Sequence, residues 1–382
     1  GKGYENIHLG NSFTEDGLKH EKFDYMLCNP PFGVEWKKYQ DPIKDEAENQ
    51  GFDGRFGAGL PRISDGSFLF LQHMISKMKE PKDGGSRIGI VFNGSPLFTG
   101  DAGSGESEIR KWIIENGWLE AIIALPDQLF YNTGILTYVW ILTNRKSKLR
   151  QGKIQLIDGT SLYERLRKPL GEKRKELSEE NINKIVNIYG SFVESEYSKI
   201  FDEEDFAYYK VTVERPLRLN FNTSKERIER LKEETPFNNL IKSRKKNEEA
   251  RKKDIEEGEK LQKDIIRILE NMDSDILYKD RAEFQKVLSK NFKNEGVSLK
   301  APIKKSILNA LSEKDETAEI CRDNKGNPEP DAELRDTEQI PFKEDIQVYF
   351  EREVLPFAKD SWIDEEKTKI GYEIPFTRYF YK

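Results

Sequence analysis

A short apolar run, Asp24-Tyr25-Met26-Leu27-Cys28, ends abruptly in Asn29-Pro30-Pro31-Phe32-Gly33. Neither proline has an N–H to extend a strand ladder, and their fixed φ angles make the turn stiff. Such a turn presents the Asn29 side-chain oxygen and the Pro30 carbonyl oxygen as two neighbouring acceptors, with the flat apolar face of Phe32 beside them. Two acceptors can take both hydrogens of one planar NH2 group while the ring stacks on the heterocycle that bears it. An exocyclic amine on a base is a poor nucleophile, because its lone pair is delocalised into the ring. Accepting both hydrogens puts partial negative charge where positive charge develops during attack. Alignment with an activated methyl supplies the rest by orientation. That chemistry needs no general base with a strongly shifted pKa. A plain strand-ending turn is the competing reading, and the full tetrapeptide directly after an apolar strand favours the site.

The elements that must hold this turn follow from the hydropathy pattern. Strands are predicted over 23–28, 86–92, 118–125 and 136–143, and helices over 66–79 and 107–117. Alternation of strands with helices predicts an α/β domain with a parallel sheet, and ligands bind beyond the carboxyl ends of such strands. Asn29 stands directly on one of those ends. The last two strands, joined by DQLFYNTGI with no helix between them, are expected as an antiparallel pair at the sheet edge. The glycine-rich TGDAGSGES (99–107) lacks the lysine of a phosphate-cradling loop and is read as a capped turn before a helix.

Residues 1–147 form the first segment of this map, and 148–223 a mixed α/β extension with a strand at 154–158 and a helix at 178–192. Residues 224–340 become helical and charged. Between Lys242 and Asp264 nine basic and seven acidic side chains alternate in sign, the mark of a solvated helix face more than of a DNA-binding stripe. Whether the helix over 242–272 is a coiled-coil arm or packs back on the body is open. The stretch 312–339 carries many acids and few apolar groups and is expected to be a linker or exposed loop, and 341–382 an aromatic packing segment.

The chain has 382 residues and a net charge of −6, a poor match for a protein that coats DNA unaided. No apolar run reaches membrane-spanning length. The two cysteines, Cys28 and Cys321, match no zinc spacing and point to a reducing cytoplasm, and His8, His20 and His73 form no ligand cluster, so no metal is expected. The opening GKGYENIHLG has no initiator methionine, and the expectation is a fragment.

FDYMLCNPPFGVEW, SDGSFLFLQHMISKM and ALPDQLFYNTGILTYVWILTNRK together resemble the methylation (M) subunit of type I restriction–modification enzymes, an N6-adenine DNA methyltransferase family. IQVYFEREVLPF and SWIDEEKTKIGYEIPFTRYFYK resemble that family's carboxyl-proximal part. The resemblance covers residues 6–220 and 341–382. It implies a partial Rossmann-like sheet that uses S-adenosylmethionine, followed by a mixed and a helical region. It also implies that Asn29, Pro30, Pro31 and Phe32 are the catalytic set, with Asn29 and Pro30 on the N6 amine of a flipped adenine and Phe32 stacked on the base. NIHLGNSF (6–13) resembles the motif that touches the cofactor's adenine. Asn11 stands there where the family carries an acid and can still bond to that base, so Asn11 and Asn29 are the cofactor-contacting residues. The loop from Val34 to Asp65 either borders the DNA entrance or is a mobile surface loop. The family's cofactor glycine motif is expected upstream of Gly1.

The resemblance further implies double-stranded DNA, a specificity subunit and a restriction (nuclease) subunit as partners. A sheet exposing an unpaired edge adds a possible homodimer. Methylation of a protein or RNA amine and a non-catalytic assembly module are the rival readings. By itself the chain is expected to be inactive and to bind cofactor weakly or not at all.

Overall fold

A computed structural model describes residues 7–131 and 133–380. The chain divides into two compact units, one of residues 1–211, 337–352 and 365–382, the other of residues 212–336 and 353–364.

The first unit is built on a six-stranded sheet of β1 (Tyr25–Cys28), β2 (Arg87–Phe92), β3 (Leu119–Leu125), β4 (Thr137–Thr143), β5 (Lys153–Asp158) and β8 (Ser198–Asp202), in the order β1-β2-β4-β3-β5-β8. A separate hairpin, β6 (Glu164–Leu170) and β7 (Lys173–Glu176), follows β5. The α-helices of its part before residue 211 are α1 (Gln40–Gln50), α2 (Ser67–Ser76), α3 (Ser95–Phe98), α4 (Gly105–Glu115) and α5 (Glu179–Ser191). Every residue of β3, LEAIIAL, is buried, as expected of a continuous apolar strand covered on both faces.

The sheet is mixed and not wholly parallel: β1–β2 and β3–β5 are parallel, while β2–β4, β3–β4 and β5–β8 are antiparallel. The expected antiparallel pair of β3 and β4 is present, but β4 lies inside the sheet between β2 and β3 and not at an edge. The reason is burial. β4 carries Tyr138, Trp140 and Leu142, all buried, and Trp140 packs edge-to-face on Phe68 of α2 at 6.0 Å and on Phe92 of β2 at 5.5 Å. An edge position would leave one side of that cluster wet. Among the described residues the edge strands of this sheet are β1 and β8. Strands β5 and β8, from the mixed segment of the sequence map, continue the sheet that begins at Tyr25, and Tyr372, Ile374 and Phe376 from the carboxyl-terminal segment lie in the same core. Ser104 caps α4 by accepting from the Ser107 N–H at 3.3 Å, so TGDAGSGES is the capped turn expected.

The second unit packs helices Glu248–Glu270, Arg281–Asn294 and Ala301–Leu311 around Phe221, Leu231, Ile265, Leu269, Phe284 and Leu288. The long helix lies on its own unit and does not project as an arm. At Gly258 a Cβ would stand 1.8 Å from the Leu240 carbonyl oxygen, so only glycine permits that approach. The stretch 312–339 departs from the linker expected. Ser312–Lys314 pairs with Leu219–Phe221, Ala318 and Cys321 are buried, and the Cys321 N–H donates to the Leu217 carbonyl at 2.8 Å. Ala318 and Cys321 find core positions while Leu334 stays exposed, and charges of the stretch find partners, as in Arg281 to Glu329 at 2.6 Å.

Candidate active site

The register places the carboxyl ends of β1, β2, β3 and β5 together, with Cys28 opposite Ile90, Leu125 opposite Thr137, and Ala124 opposite Asp158. Asn29 follows β1 at that end. Pro30 is buried, Phe32 is half-buried, and Asn29 is exposed. Among the described residues none bonds to the Asn29 amide, and no aromatic ring packs on Phe32. Gly33 turns the chain at φ +61°. Beyond it the backbone is fixed at once: Gly66 N–H donates to the Val34 carbonyl at 3.0 Å, Trp36 N–H to Ile63 at 3.0 Å, and the Trp36 indole to Arg62 at 2.9 Å. The segment from Val34 to Asp65 folds as α1 and short turns, with Trp36, Ile43 and Phe56 buried against Leu69. A mobile surface loop is therefore not what this segment forms.

A cavity of about 470 Å³ runs along β1. One wall is β1 from Tyr25 to Cys28, another is the loop around Gly10, Ser12 and Asp16, and the third is His73 and Lys77. The loop is tightly held. Asn11 Oδ1 accepts from the Phe13 N–H at 2.8 Å, and the Asn11 carbonyl accepts from the Glu15 N–H at 2.7 Å. The guanidinium of Arg55 uses all five of its N–H groups there. Nε and one terminal nitrogen hold the Glu46 carboxylate at 2.9 and 2.6 Å, and the remaining donors reach Ser12 O at 2.8 Å, Phe13 O at 2.7 Å and His73 Nδ1 at 3.1 Å. At the other end of the loop Lys77 holds Asp16 at 2.5 Å and Leu18 O at 2.6 Å. Burial, and then the Arg55 charge, lower the His73 imidazole to about 4, so it is neutral and accepts from Arg55. Burial pushes the Asp16 carboxyl up, but the Lys77 hydrogen bond and charge bring it below its ordinary value. Another cavity, about 670 Å³, opens at the opposite end of the sheet, beside Trp118 and Gly152 at the starts of β3 and β5.

The structure thus brings the Asn11 loop and the Asn29 strand to two walls of one cavity, through their neighbours Gly10, Ser12 and Cys28. The Asn11 side-chain oxygen is spent on its own turn, and among the described residues no bond takes its NH2 group. Asn6 of NIHLGNSF and Asn132 of NTGI lie outside the described residues. Sequence reasoning missed Arg55, Glu46, His73 and Lys77. The four-residue spacing of His73 and Lys77 marks one helix face, but nothing around Arg55 signals its role.

The family profile of the N-6 DNA methylases matches residues 2–235, more than half of the chain. The chain belongs to the N-6 DNA methylase family. Among the relatives of this methylase chain, the type I restriction enzyme MjaVII methylase subunit of Methanocaldococcus jannaschii is 29% identical over 241 residues, covering 63% of this chain and 40% of that protein. The HindI methylase subunit of Haemophilus influenzae is 32% identical over 153 residues, 40% of this chain and 31% of that protein. A solved type I restriction–modification methyltransferase subunit from Streptococcus thermophilus shares 27% identity at a TM-score of 0.42, over 51% of this chain and 38% of that one. The resemblance read from the motifs is borne out as family membership. This methylase chain spans less than half the length of these curated relatives.

Proposed function

We propose that this chain is the part of a type I DNA adenine-N6 methyltransferase subunit that holds the target amine, in an enzyme that transfers a methyl group from S-adenosylmethionine to a flipped adenine. The observation that carries the reading is the exposed Asn29 amide, which no described residue bonds, on a buried-proline turn beside a cavity of about 470 Å³. The cavity suits a nucleoside-sized cofactor: its volume lies within the range of small-molecule sites, and it combines the apolar Met26, Leu27 and Met74 with polar loop and helix groups. Bound there, S-adenosylmethionine supplies an electrophilic methyl on a sulfonium.

Asn29 Oδ1 and the Pro30 carbonyl accept the two N6 hydrogens and turn the nitrogen lone pair toward that methyl. Phe32 stacks on the base. With the cofactor bound, the N–C bond would form as the sulfonium's methyl–sulfur bond breaks, and the amine proton would pass to solvent. Base extrusion is required because the duplex stack blocks the approach. The loop of Val34 to Asp65 borders the DNA entrance, and Asn11 contributes its NH2 group to the cofactor's adenine. The partners in this reading are double-stranded DNA, a specificity subunit that reads the sequence, and a nuclease subunit.

The test is product analysis with the complete subunit and its specificity partner, for wild type and Asn29→Ala. N6-methyladenine in duplex DNA, absent in the variant, is expected. Methyl on a protein or RNA amine would overturn the substrate, and unchanged methylation in the variant would overturn the site.

A further inference from the structure

The hairpin β6–β7 contrasts with the rest of the chain in charge. From Glu164 to Glu176 it carries six basic and three acidic side chains, a net of +3 in a chain whose net charge is −6. Arg165, Arg167, Lys168 and Arg174 are exposed, and none makes an ion pair or side-chain hydrogen bond among the described residues. Lys173 and Lys175 are engaged internally, over the rings of Tyr131 at 5.3 Å and Tyr163 at 4.0 Å, with Lys175 also paired to Asp127.

This positive hairpin is fastened to the Asn29 end of the sheet. It leaves the carboxyl end of β5 and is held by the loop that follows β3. The Gln128 carbonyl accepts from the Arg174 and Lys175 N–H groups at 2.9 and 3.2 Å, and the Tyr131 carbonyl accepts from Glu172 at 3.2 Å. Gln128 adopts φ +56°, a left-handed conformation that costs energy in a non-glycine residue and here points its carbonyl at the hairpin. In the strand order the β3 loop stands three strand positions from β1, and β5 four. At ~4.8 Å per strand this is roughly 14–19 Å, or about four to six base pairs of duplex at ~3.4 Å each.

We infer that the β6–β7 hairpin grips the phosphate backbone of duplex DNA about half a helical turn from the flipped adenine, through Arg165, Arg167, Lys168 and Arg174. The inference rests on the reading of the Asn29 turn as the site of a DNA amine methyltransferase. Duplex DNA is favoured over an acidic protein surface because the hairpin shares its end of the sheet with the base-holding turn. A duplex delivering one base there must pass close by. Four uncommitted cations on a short hairpin supply the local positive field that the whole chain lacks.

The experiment uses the complete methyltransferase with its specificity subunit and compares wild type, the quadruple alanine variant of the four residues, and the quadruple variant that exchanges the three arginines for lysine and Lys168 for arginine. Duplex binding is titrated over a salt series. Each phosphate that the protein no longer neutralises lowers the slope of log affinity against log salt by about 0.9. The alanine variant should give a slope smaller by about 3 to 4, weaken cognate and non-cognate DNA alike, and raise KM for DNA with kcat at saturation and cofactor affinity unchanged. The charge-retaining variant should keep most of the slope. A wild-type slope in the alanine variant overturns the inference. So does failure of subunit association with the slope intact, which would assign the hairpin to a protein partner. The salt series reads binding alone, so it decides the hairpin even if wild type yields no N6-methyladenine, the result that would sink the functional reading instead.

Discussion

The guanidinium of Arg55 lies 3.1 Å from Nδ1 of His73, and the same fork holds the carbonyls of Ser12 and Phe13. One side chain therefore ties the segment following the Asn-Pro-Pro-Phe turn both to α2 and to the loop proposed to carry the cofactor. The planar fork matches five acceptor directions at once, which a lysine ammonium cannot do.

Removing that charge should move a titration. His73 titrates at about 4 because of burial and then Arg55, against an ordinary 6.5. A group whose folded pKa is depressed binds fewer protons folded than unfolded between those values. Its contribution to stability is therefore whole above about 6.5 and fades as pH falls toward about 4. Wild type should lose stability to urea across that window, and in Arg55→Met the His73 imidazole should titrate higher by NMR. An unchanged imidazole titration would show that Arg55 does not govern His73.

Asn29→Ala in the complete enzyme should lower methyl transfer by about 10²–10³, by analogy with the removal of one preorganised hydrogen-bonding group, while cofactor binding falls far less. Single-turnover assays beside calorimetric cofactor titration separate the two effects.

Phe32→Ala should reduce turnover, and Phe32→Tyr or Phe32→Trp should retain it, because only a flat face is required. The stacking of one base is worth about 1–3 kcal/mol. Equal turnover in Phe32→Ala and wild type would remove stacking from the role of this ring.

The edge strand β1 makes a prediction about association. Leu27 is 89% exposed and Tyr25 68% exposed on that strand. An apolar edge with open hydrogen-bonding groups invites pairing. Sedimentation of the purified chain should show concentration-dependent dimers that Leu27→Lys disperses. Monomers at every concentration would argue that the edge is inert.

Gly258→Ala should destabilise the helical unit by about 1–3 kcal/mol or more, in the range of overpacking, since the new methyl meets the Leu240 carbonyl. Denaturant unfolding followed through that unit checks it.

The strands over 25–28, 87–92, 119–125 and 137–143 and the helices α2 and α4 were legible in the sequence because apolar periodicity is local, whereas α1, inside the segment read as a loop, was not. So was the Asn-Pro-Pro-Phe turn, whose stiffness and acceptors are properties of four consecutive residues. The place of β4 was not legible: it depends on which neighbours cover Trp140, and that is settled only when Phe68 and Phe92, far apart in the chain, meet it. The burial of Ala318 and Cys321 was hidden for a similar reason, since a segment poor in apolar groups can still be fixed by partners at Leu217 and Arg281. The Arg55 fork joins residues 12, 13, 46 and 73, and the basic hairpin gains its meaning from standing at the Asn29 end of the sheet. Chemistry carried by neighbours in the chain was fixed by the sequence itself. Chemistry assembled from distant residues was decided by the tertiary structure, because burial and hydrogen bonding act between neighbours in space.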